Sequence, residues 1–226
     1  MPQDTGNNGR QLPQDIRQVG IPPLGLEGTL GLPQGAQGIV LFAHGSGSSR
    51  LSPRNNYVAD ALRGVGLGTL LFDLLTEQEA ISRAYVFDIE LLAGRLLSAI
   101  DWVHDLKETS RLRIGLFGAS TGAAAALVAA GRSGRPISAI VSRGGRPDLA
   151  GSALGKVAAP TLLVVGGLDQ EVLALNEAAM TQLRCPKRLD VVPGASHLFE
   201  EPGALDQVIE LAKQWFTKHL MSRAAA

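Results

Sequence analysis

The strongest constraint on the fold of this chain is a repeated alternation of short apolar runs with longer stretches of helical periodicity. The runs are unbroken rather than alternately apolar and polar, which is typical of strands buried on both faces. They lie at residues 38–44, 68–74, 113–119, 137–143, 160–167 and 188–194. Helices are predicted between them and after them, at residues 55–64, 87–106, 120–131, 151–157, 171–183 and 201–220. This alternation predicts an α/β fold, in which helices cover both faces of a mostly parallel central sheet.

The N-terminal part of the chain does not follow this rhythm. Extended runs at residues 17–21 and 24–32 flank a Pro-Pro pair, which predicts antiparallel strands at an edge of the sheet. Residues 1–15 combine Gln, Asn, Asp, Gly and Pro with few apolar side chains, so we expect a disordered leader. Residues 16–222 are numerous enough to bury one core, and they are predicted to form a single domain.

The charge balance and the cysteine count exclude several classes of protein. The 226 residues carry 21 basic and 21 acidic side chains, and this zero net charge gives no electrostatic basis for nucleic-acid binding. Cys185 is the only cysteine, which excludes an internal disulfide and a multi-thiolate zinc site. The N-terminus does not have the pattern of a signal peptide, and no apolar stretch is long enough for a membrane span. We therefore expect a cytoplasmic protein without membrane contact, whose oligomeric state the sequence leaves open.

A candidate nucleophile follows the apolar run at residues 113–119. The sequence there reads GASTG, with Ser120 at its centre, and a helix is predicted to start at the serine. This is the G-x-S-x-G pattern of a nucleophile elbow, in which a tight turn between strand and helix exposes the hydroxyl. Two alternatives remain: Ser120 caps the helix, or the glycines form a nucleotide-binding turn. The second is disfavoured because the next strand ends in Ser142 and Arg143, without the acidic residue that binds a ribose.

The chain downstream of Ser120 supplies an acid and a histidine at the ends of predicted strands. Asp169 lies in GGLDQEV and His197 in GASHLFEEP, and the order Ser, Asp, His is that of hydrolases with this elbow. Taken alone, Asp169 is also suited to cap a helix, and His197 to pack in a loop. Asp148 and Asp190 are competing acids. The combined order and placement predict a Ser120, Asp169, His197 triad.

The loop after the first long strand has the composition of an oxyanion hole. It reads His44-Gly45-Ser46-Gly47, and its small residues allow the N–H of Ser46 or Gly47 to approach a carbonyl oxygen together with the N–H of Thr121. The alternative is a polar turn that caps the next helix. His44 is also a candidate substrate contact.

The SRGGRPD loop supplies two further candidate substrate contacts. Arg143 and Arg146 could provide positive charge to a substrate, and their alternative role is to pair with Asp148 or Glu201 and fix the loop.

Five segments together resemble the α/β-hydrolase superfamily and, within it, the small dienelactone hydrolase-like group. They are FAHGSGSS (42–49), GLFGASTG (115–122), SRGGRPDL (142–149), VVGGLDQEV (164–172) and VPGASHLFEEPGAL (192–205). The resemblance spans residues 17–220 and implies a triad at Ser120, Asp169 and His197, no metal or organic cofactor, and hydrolysis of small esters or lactones. Dienelactone hydrolase itself has cysteine at the elbow, so Ser120 favours carboxylesterase chemistry. Glu200 and Glu201 follow His197, where that enzyme holds its carboxylated substrate with arginine.

These observations predict a serine hydrolase that forms an acyl-enzyme on Ser120. The longest loop-like insert is at residues 74–86, which is too short for a large lid, so we expect a shallow pocket and a small-molecule ester or lactone with a short acyl chain. An acyltransferase with an acceptor other than water, and a binding module with a non-catalytic site, are the alternatives.

Overall fold

The computed structural model describes residues 14–221, with eight strands in one sheet. The strands are β1 (Gln14–Ile21), β2 (Leu26–Pro33), β3 (Gly38–Ala43), β4 (Gly68–Phe72), β5 (Arg113–Ala119), β6 (Ile137–Arg143), β7 (Thr161–Gly166) and β8 (Lys187–Val192). Their order across the sheet is β1-β2-β4-β3-β5-β6-β7-β8. β1 and β2 pair antiparallel, as do β2 and β4, and all other pairs are parallel. The predicted fold class is confirmed, including the antiparallel N-terminal edge.

The helices connect the strands and cover both faces of the sheet. They are α1 (Pro53–Gly64), α2 (Glu77–Ala80), α3 (Arg83–Val86), α4 (Ile89–Asp105), α5 (Thr121–Arg132), α6 (Gln170–Gln182) and α7 (Ala204–Leu220), with a 3₁₀ segment at Pro147–Lys156. α1 and α7 pack on one face, whereas α4, α5, α6 and the 3₁₀ segment pack on the other. In β3, Ile39 and Leu41 belong to one core, and Val40 and Phe42 belong to the other. Both faces of the strand are therefore buried, which explains its unbroken apolar run.

Two regions differ from the prediction. The insert at residues 74–86, predicted as a loop, contains α2 and α3. Thr76 and Glu79 form a capping box at the start of α2, which stabilises a helix too short to show a hydrophobic period. The helix predicted at residues 151–157 is part of the 3₁₀ segment instead, because Gly151 has a φ of 51° and interrupts the helical backbone.

The predicted leader at residues 1–15 overlaps the first strand. Residues 1–13 lie outside the described residues, and residues 14 and 15 belong to β1. Within the described part, no helix combines the length and apolarity that a membrane span requires.

The parallel strands bring the candidate residues to one edge of the sheet. The loop at residues 44–50 follows β3, Ser120 follows β5 and Arg143 ends β6. Asp169 follows β7 and His197 follows β8. Because the carboxyl ends of parallel strands share one edge, residues far apart in sequence meet there, at the edge where open α/β sheets bind ligands.

Candidate active site

Ser120 sits on a strained turn between β5 and α5. Its φ of 51° and ψ of −122° are rarely adopted by a residue with a side chain. The turn is tightly enclosed: a β-carbon at Gly118 would lie 2.4 Å from the Cα of Ala123, and one at Gly122 would lie 2.1 Å from the carbonyl oxygen of Ala43. Ser120 occupies the N-cap position of α5 but makes no side-chain capping hydrogen bond. The geometry therefore matches an elbow and does not match the capping alternative.

Asp169 and His197 are joined by a short hydrogen bond. His197 Nδ1 lies 2.6 Å from Asp169 Oδ2, and the aspartate side chain is only 15% exposed. Asp169 occupies the N-cap position of α6 but makes no side-chain capping hydrogen bond, so its carboxylate is available to the histidine. When Nδ1–H donates to the carboxylate, Nε2 of a neutral imidazole is left as an acceptor.

The competing acids have other partners. Asp148 pairs with Arg146, and Asp190 pairs with Arg188 at 2.6 Å. Asp169 is thus the acid that the fold brings to His197.

Ser120 and His197 both line a cavity of about 550 Å³. Its walls also include the loop at residues 45–49, Arg54 and Arg143. Among residues 14–221, no hydrogen bond joins the Ser120 hydroxyl to His197. Catalytic hydrogen bonds in unliganded sites are often longer than those in the reacting complex.

The candidate oxyanion-hole residues lie on two elements that are hydrogen-bonded to each other. Ser46 N–H donates to Thr121 Oγ1 at 3.0 Å, which holds the loop after β3 against the first turn of α5. The N–H of Thr121 belongs to that first turn, where helix geometry provides no backbone acceptor. Gly47 has a φ of 69°, a conformation that glycine adopts without strain. The N–H of Ser46 is already hydrogen-bonded to Thr121 Oγ1 in the structure, whereas Gly47 is the other candidate donor.

His44 is bonded to the backbone through both ring nitrogens. Nδ1 lies 3.0 Å from the carbonyl oxygen of Gly45, and Nε2 accepts the N–H of Leu74 at 3.1 Å. Burial of the ring lowers the pKa of His44, which favours the neutral form that these two bonds require. Its polar atoms therefore hold the loop after β3, although the ring also borders a neighbouring cavity.

The two arginines of the SRGGRPD loop have different environments. Arg146 makes two hydrogen bonds to Asp148, at 2.9 and 2.8 Å, so it has the loop-fixing role of the alternative interpretation. Arg143 is only 8% exposed, and in the described part of the chain its guanidinium makes no hydrogen bond or ion pair. Burial, with the nearby charge of Arg54, lowers the pKa of Arg143 to about 10.

Arg54 is the site residue that the sequence reasoning missed. It lies in the first turn of α1, lines the cavity with Ser120, and pairs with Glu200 at 2.7 Å. A cation in the first turn of a helix opposes the helix dipole. This unfavourable placement is a local hint of a role for Arg54, but its position at the cavity depends on the orientation of α1, which the sequence does not specify.

A second cavity of about 340 Å³ lies on the other side of the loop at residues 45–49. Its apolar walls come from the segment that follows β4, from α2 and α3 of the insert and from the start of α4, and they include Leu75, Ala80, Val86 and Leu92. Arg50 lines its polar end and is held by Asp73 through its backbone N–H and its guanidinium, at 2.7 and 2.6 Å.

The side chains that could ligate a metal are dispersed. Within residues 14–221, no group of three or more His, Cys, Asp or Glu side chains is arranged to hold a metal ion.

The strand order, the elbow and the loops at the carboxyl edge define an α/β-hydrolase fold. The chain belongs to the dienelactone hydrolase family, whose sequence model matches residues 55–220. It is similar to the crystal structure of dienelactone hydrolase from Anabaena variabilis, with 55% identity and a TM-score of 0.88. That match covers 93% of this chain and 99% of the other.

Two further comparisons limit the conclusions that can be drawn from similarity to known proteins. A Mycobacterium tuberculosis protein with a provisional phosphoribosyl transferase name is 58% identical over 203 residues, which are 90% of this chain and 46% of that protein. The chain thus spans about half the length of this curated relative. Est1E from Butyrivibrio proteoclasticus is 16% identical with a TM-score of 0.74, covering 90% of this chain and 98% of the other. At that identity the likeness concerns the fold alone.

Proposed function

We propose that this protein is a serine hydrolase that cleaves small carboxylic esters or lactones through an acyl-enzyme on Ser120. The observation that carries the proposal is that the strained Ser120 lines one cavity with His197, which is itself bonded to Asp169 at 2.6 Å. A nucleophile, a base and a group that orients the base are the parts that acyl transfer requires.

In the first half-reaction, Ser120 Oγ attacks the ester carbonyl carbon while His197 Nε2 accepts the hydroxyl proton. Asp169 holds the imidazole through Nδ1–H and stabilises its cation. The negative charge that develops on the carbonyl oxygen is stabilised by the N–H of Thr121 with that of Ser46 or Gly47. The bond to the leaving oxygen then breaks, and the imidazolium returns its proton to that oxygen, which releases the alcohol.

In the second half-reaction, water replaces the alcohol. His197 takes one proton from the water, the hydroxide oxygen bonds to the acyl carbon, and the bond to Ser120 Oγ breaks. The proton returns to Ser120 Oγ, and the carboxylic acid product leaves as its carboxylate with release of a proton to solvent. A lactone follows the same steps, except that its alcohol remains attached to the product.

The hydrogen bond between Ser46 N–H and Thr121 Oγ1 bears on the oxyanion hole. If Ser46 is the second donor, this bond must yield to the substrate oxygen or be shared with it. Gly47 is the alternative donor.

The proposal is tested with a panel of p-nitrophenyl esters and simple lactones, together with a fluorophosphonate probe that labels activated serines. The wild-type protein is expected to hydrolyse short-chain esters and to be labelled at Ser120. Ser120→Ala is expected to lose both properties while retaining its fold, because removal of one hydroxyl leaves little cavity. Ser98→Ala, which removes a hydroxyl bonded to a carbonyl of α4, is the matched control. A folded Ser120→Ala variant with wild-type turnover would refute the assignment.

A further inference from the structure

The loop at residues 45–49 lines two cavities. One is also lined by Ser120 and His197, and the other is the second cavity of about 340 Å³. The two cavities meet close to the nucleophile, because a β-carbon at Gly45 would lie 3.0 Å from Ser120 Cβ. A chain attached to a carbonyl held at Ser120 can therefore reach the second cavity past the backbone of Gly45.

The order of the strands decides which part of an ester faces the second cavity. Seen from β3, the second cavity lies toward β4, whereas His197 follows β8, which lies on the other side of β3. His197 Nε2 must return a proton to the leaving oxygen, so the alcohol part of the ester lies on the His197 side. The carbonyl oxygen faces the N–H of Thr121. The remaining substituent of the carbonyl carbon, the acyl chain, therefore points away from His197 and toward the second cavity.

The wall and the volume of the second cavity suit an aliphatic chain. Leu75, Ala80, Val86 and Leu92 give it a wall of aliphatic side chains, against which apolar surface is removed from water. A group of the size of a water molecule takes up about 30 Å³, so the cavity has room for about ten such groups. Each buried methylene strengthens binding by about threefold.

The polar end of the second cavity disfavours a negatively charged chain. Arg50 lines this end, and it is paired with both Asp73 and Glu27. Glu77 adds another carboxylate to the wall. In the part of the chain that the structure describes, the carboxylates around this end thus outnumber the cation. A chain that ends in a carboxylate would meet repulsion there, whereas a methyl end would not.

We propose that the second cavity binds the acyl chain of the substrate, so that the natural substrate is an ester of a neutral aliphatic acid with about six to eight carbons. This proposal rests on the proposed ester hydrolase activity. The short acyl chain expected from the sequence assumed a loop at residues 74–86, whereas α2 and α3 supply part of the cavity wall there.

The test compares three esters of similar length. Ethyl hexanoate and hexyl acetate are isomers that carry the same chain on the acyl side or on the alcohol side, and monoethyl adipate has the length of ethyl hexanoate but ends in a carboxylate. Hydrolysis is followed by titration of the released acid. Ethyl hexanoate is expected to exceed each of the other two in kcat/KM by about tenfold or more. An equal or higher kcat/KM for hexyl acetate or for monoethyl adipate would overturn the proposal.

Variants assign the preference to the wall of the second cavity. Ala80→Phe fills part of the cavity and is expected to lower the ratio of kcat/KM for ethyl hexanoate to that for ethyl acetate by about tenfold or more. Ala84→Phe in α3 introduces the same side chain outside the walls of both cavities, and it is expected to keep the wild-type ratio. An unchanged ratio in folded Ala80→Phe would refute the assignment.

A second variant covers the case in which Ala80→Phe does not fold. Val86→Ala widens the same wall, so it is expected to raise kcat/KM for ethyl octanoate relative to ethyl hexanoate. A folded Val86→Ala protein with the wild-type ratio would count against the acyl pocket.

A ligand that cannot be hydrolysed separates this proposal from the proposed function. Methyl hexyl ketone carries a neutral chain on a carbonyl, and its binding is measured by calorimetry. If no ester is cleaved but the ketone binds, and Ala80→Phe abolishes that binding while Ala84→Phe retains it, the acyl pocket stands and the ester hydrolase assignment fails. If esters are cleaved without a preference for ethyl hexanoate and the ketone does not bind, the hydrolase assignment stands and the acyl pocket is refuted.

Discussion

The backbone of Gly122 lies so close to Ala43 that a β-carbon at position 122 would be 2.1 Å from the Ala43 carbonyl oxygen. A distance below 3.0 Å to a backbone atom requires the backbone itself to move. The contact joins the first turn of α5 to the end of β3, so it holds the nucleophile turn against the candidate oxyanion loop.

Gly122→Ala is therefore expected to destabilise the protein strongly, although alanine is the better helix former. The expected loss is about 3 kcal/mol or more of unfolding free energy, because the β-carbon cannot be accommodated by rotation of a side chain. Gly94→Ala in α4 is the matched change, since a β-carbon added there would have no atom within 4 Å. It is expected to add about 0.5–1 kcal/mol. Urea denaturation of both variants measures the contrast, and equal effects would contradict the close approach at Gly122.

Asp169→Asn tests the role of the acid beside His197. The amide is similar in size to the carboxylate but carries no charge, and it can present an N–H to Nδ1, which would favour the wrong tautomer of the imidazole. We expect kcat for ester hydrolysis to fall by several orders of magnitude with an unchanged fold. Asp148→Asn and Asp190→Asn, at acids paired with arginines elsewhere, are expected to retain activity. Steady-state kinetics of the three variants decides among the acids.

Ser120→Cys tests whether His197 acts on the side chain at position 120. A thiol is larger and more easily ionised than a hydroxyl, and a neighbouring imidazole promotes formation of the thiolate. The variant is expected to be acylated by activated esters, to turn over slowly after a burst, and to become sensitive to iodoacetamide at the introduced thiol. Cys185 is the internal control, because it is buried and its thiol lies 3.6 Å from the Thr161 hydroxyl. Absence of both the burst and alkylation at position 120 would show that His197 is out of reach.

The stability of the protein should decrease as the pH falls below about 6.5, in part because of His44. Burial lowers the pKa of His44 below its ordinary value of 6.5, so the unfolded chain takes up a proton at a higher pH than the folded one. The contribution is fully present above pH 6.5 and is lost as the pH falls toward the lower folded pKa. His44→Gln removes this titration, and its unfolding free energy should vary less between about pH 7 and about pH 5. An equal pH dependence in the two proteins would contradict the assignment.

The pH range of that experiment separates His44 from most other shifted groups. The pKa values of Glu79, Glu90 and Glu201 are lowered from 4.5, so the stabilising contributions of these carboxylates are lost only around and below that pH. His219 also has a lowered pKa, owing to burial and the charge of Lys218, and it contributes in the same direction as His44. Comparison of His44→Gln with the wild-type protein isolates the part of the pH dependence of unfolding free energy that is due to His44.

The fold could be predicted from sequence because its signals are local and repeated. An unbroken apolar run predicts a strand covered on both faces, and β3, β5 and β6 lie where such runs were found. Ser120, Asp169 and His197 follow β5, β7 and β8, and their placement at one edge could be predicted because parallel strands carry their terminal loops to the same side of the sheet. The triad itself stays a prediction until its chemistry is measured.

Other features depend on tertiary contacts that no local pattern reveals. α2 and α3 are each four residues long, so no hydrophobic period could distinguish them from a loop. From the sequence, Arg143 and Arg146 had the same two candidate roles. Only the fold determines that Arg146 pairs with Asp148, whereas Arg143 meets no carboxylate in the described chain. Arg54 reaches the cavity from α1, a helix whose orientation the sequence does not specify.

The two cavities share the loop at residues 45–49 and differ in the rest of their walls. The smaller one is built wholly from residues 44–92, whereas Ser120, Asp169 and His197 come from the second half. Insertions or substitutions around α2 and α3 can therefore change the shape of the smaller cavity without altering the strands that precede Ser120, Asp169 and His197. Apart from the candidate oxyanion loop at residues 44–47, the walls of this cavity can change in sequence independently of Ser120, Asp169 and His197.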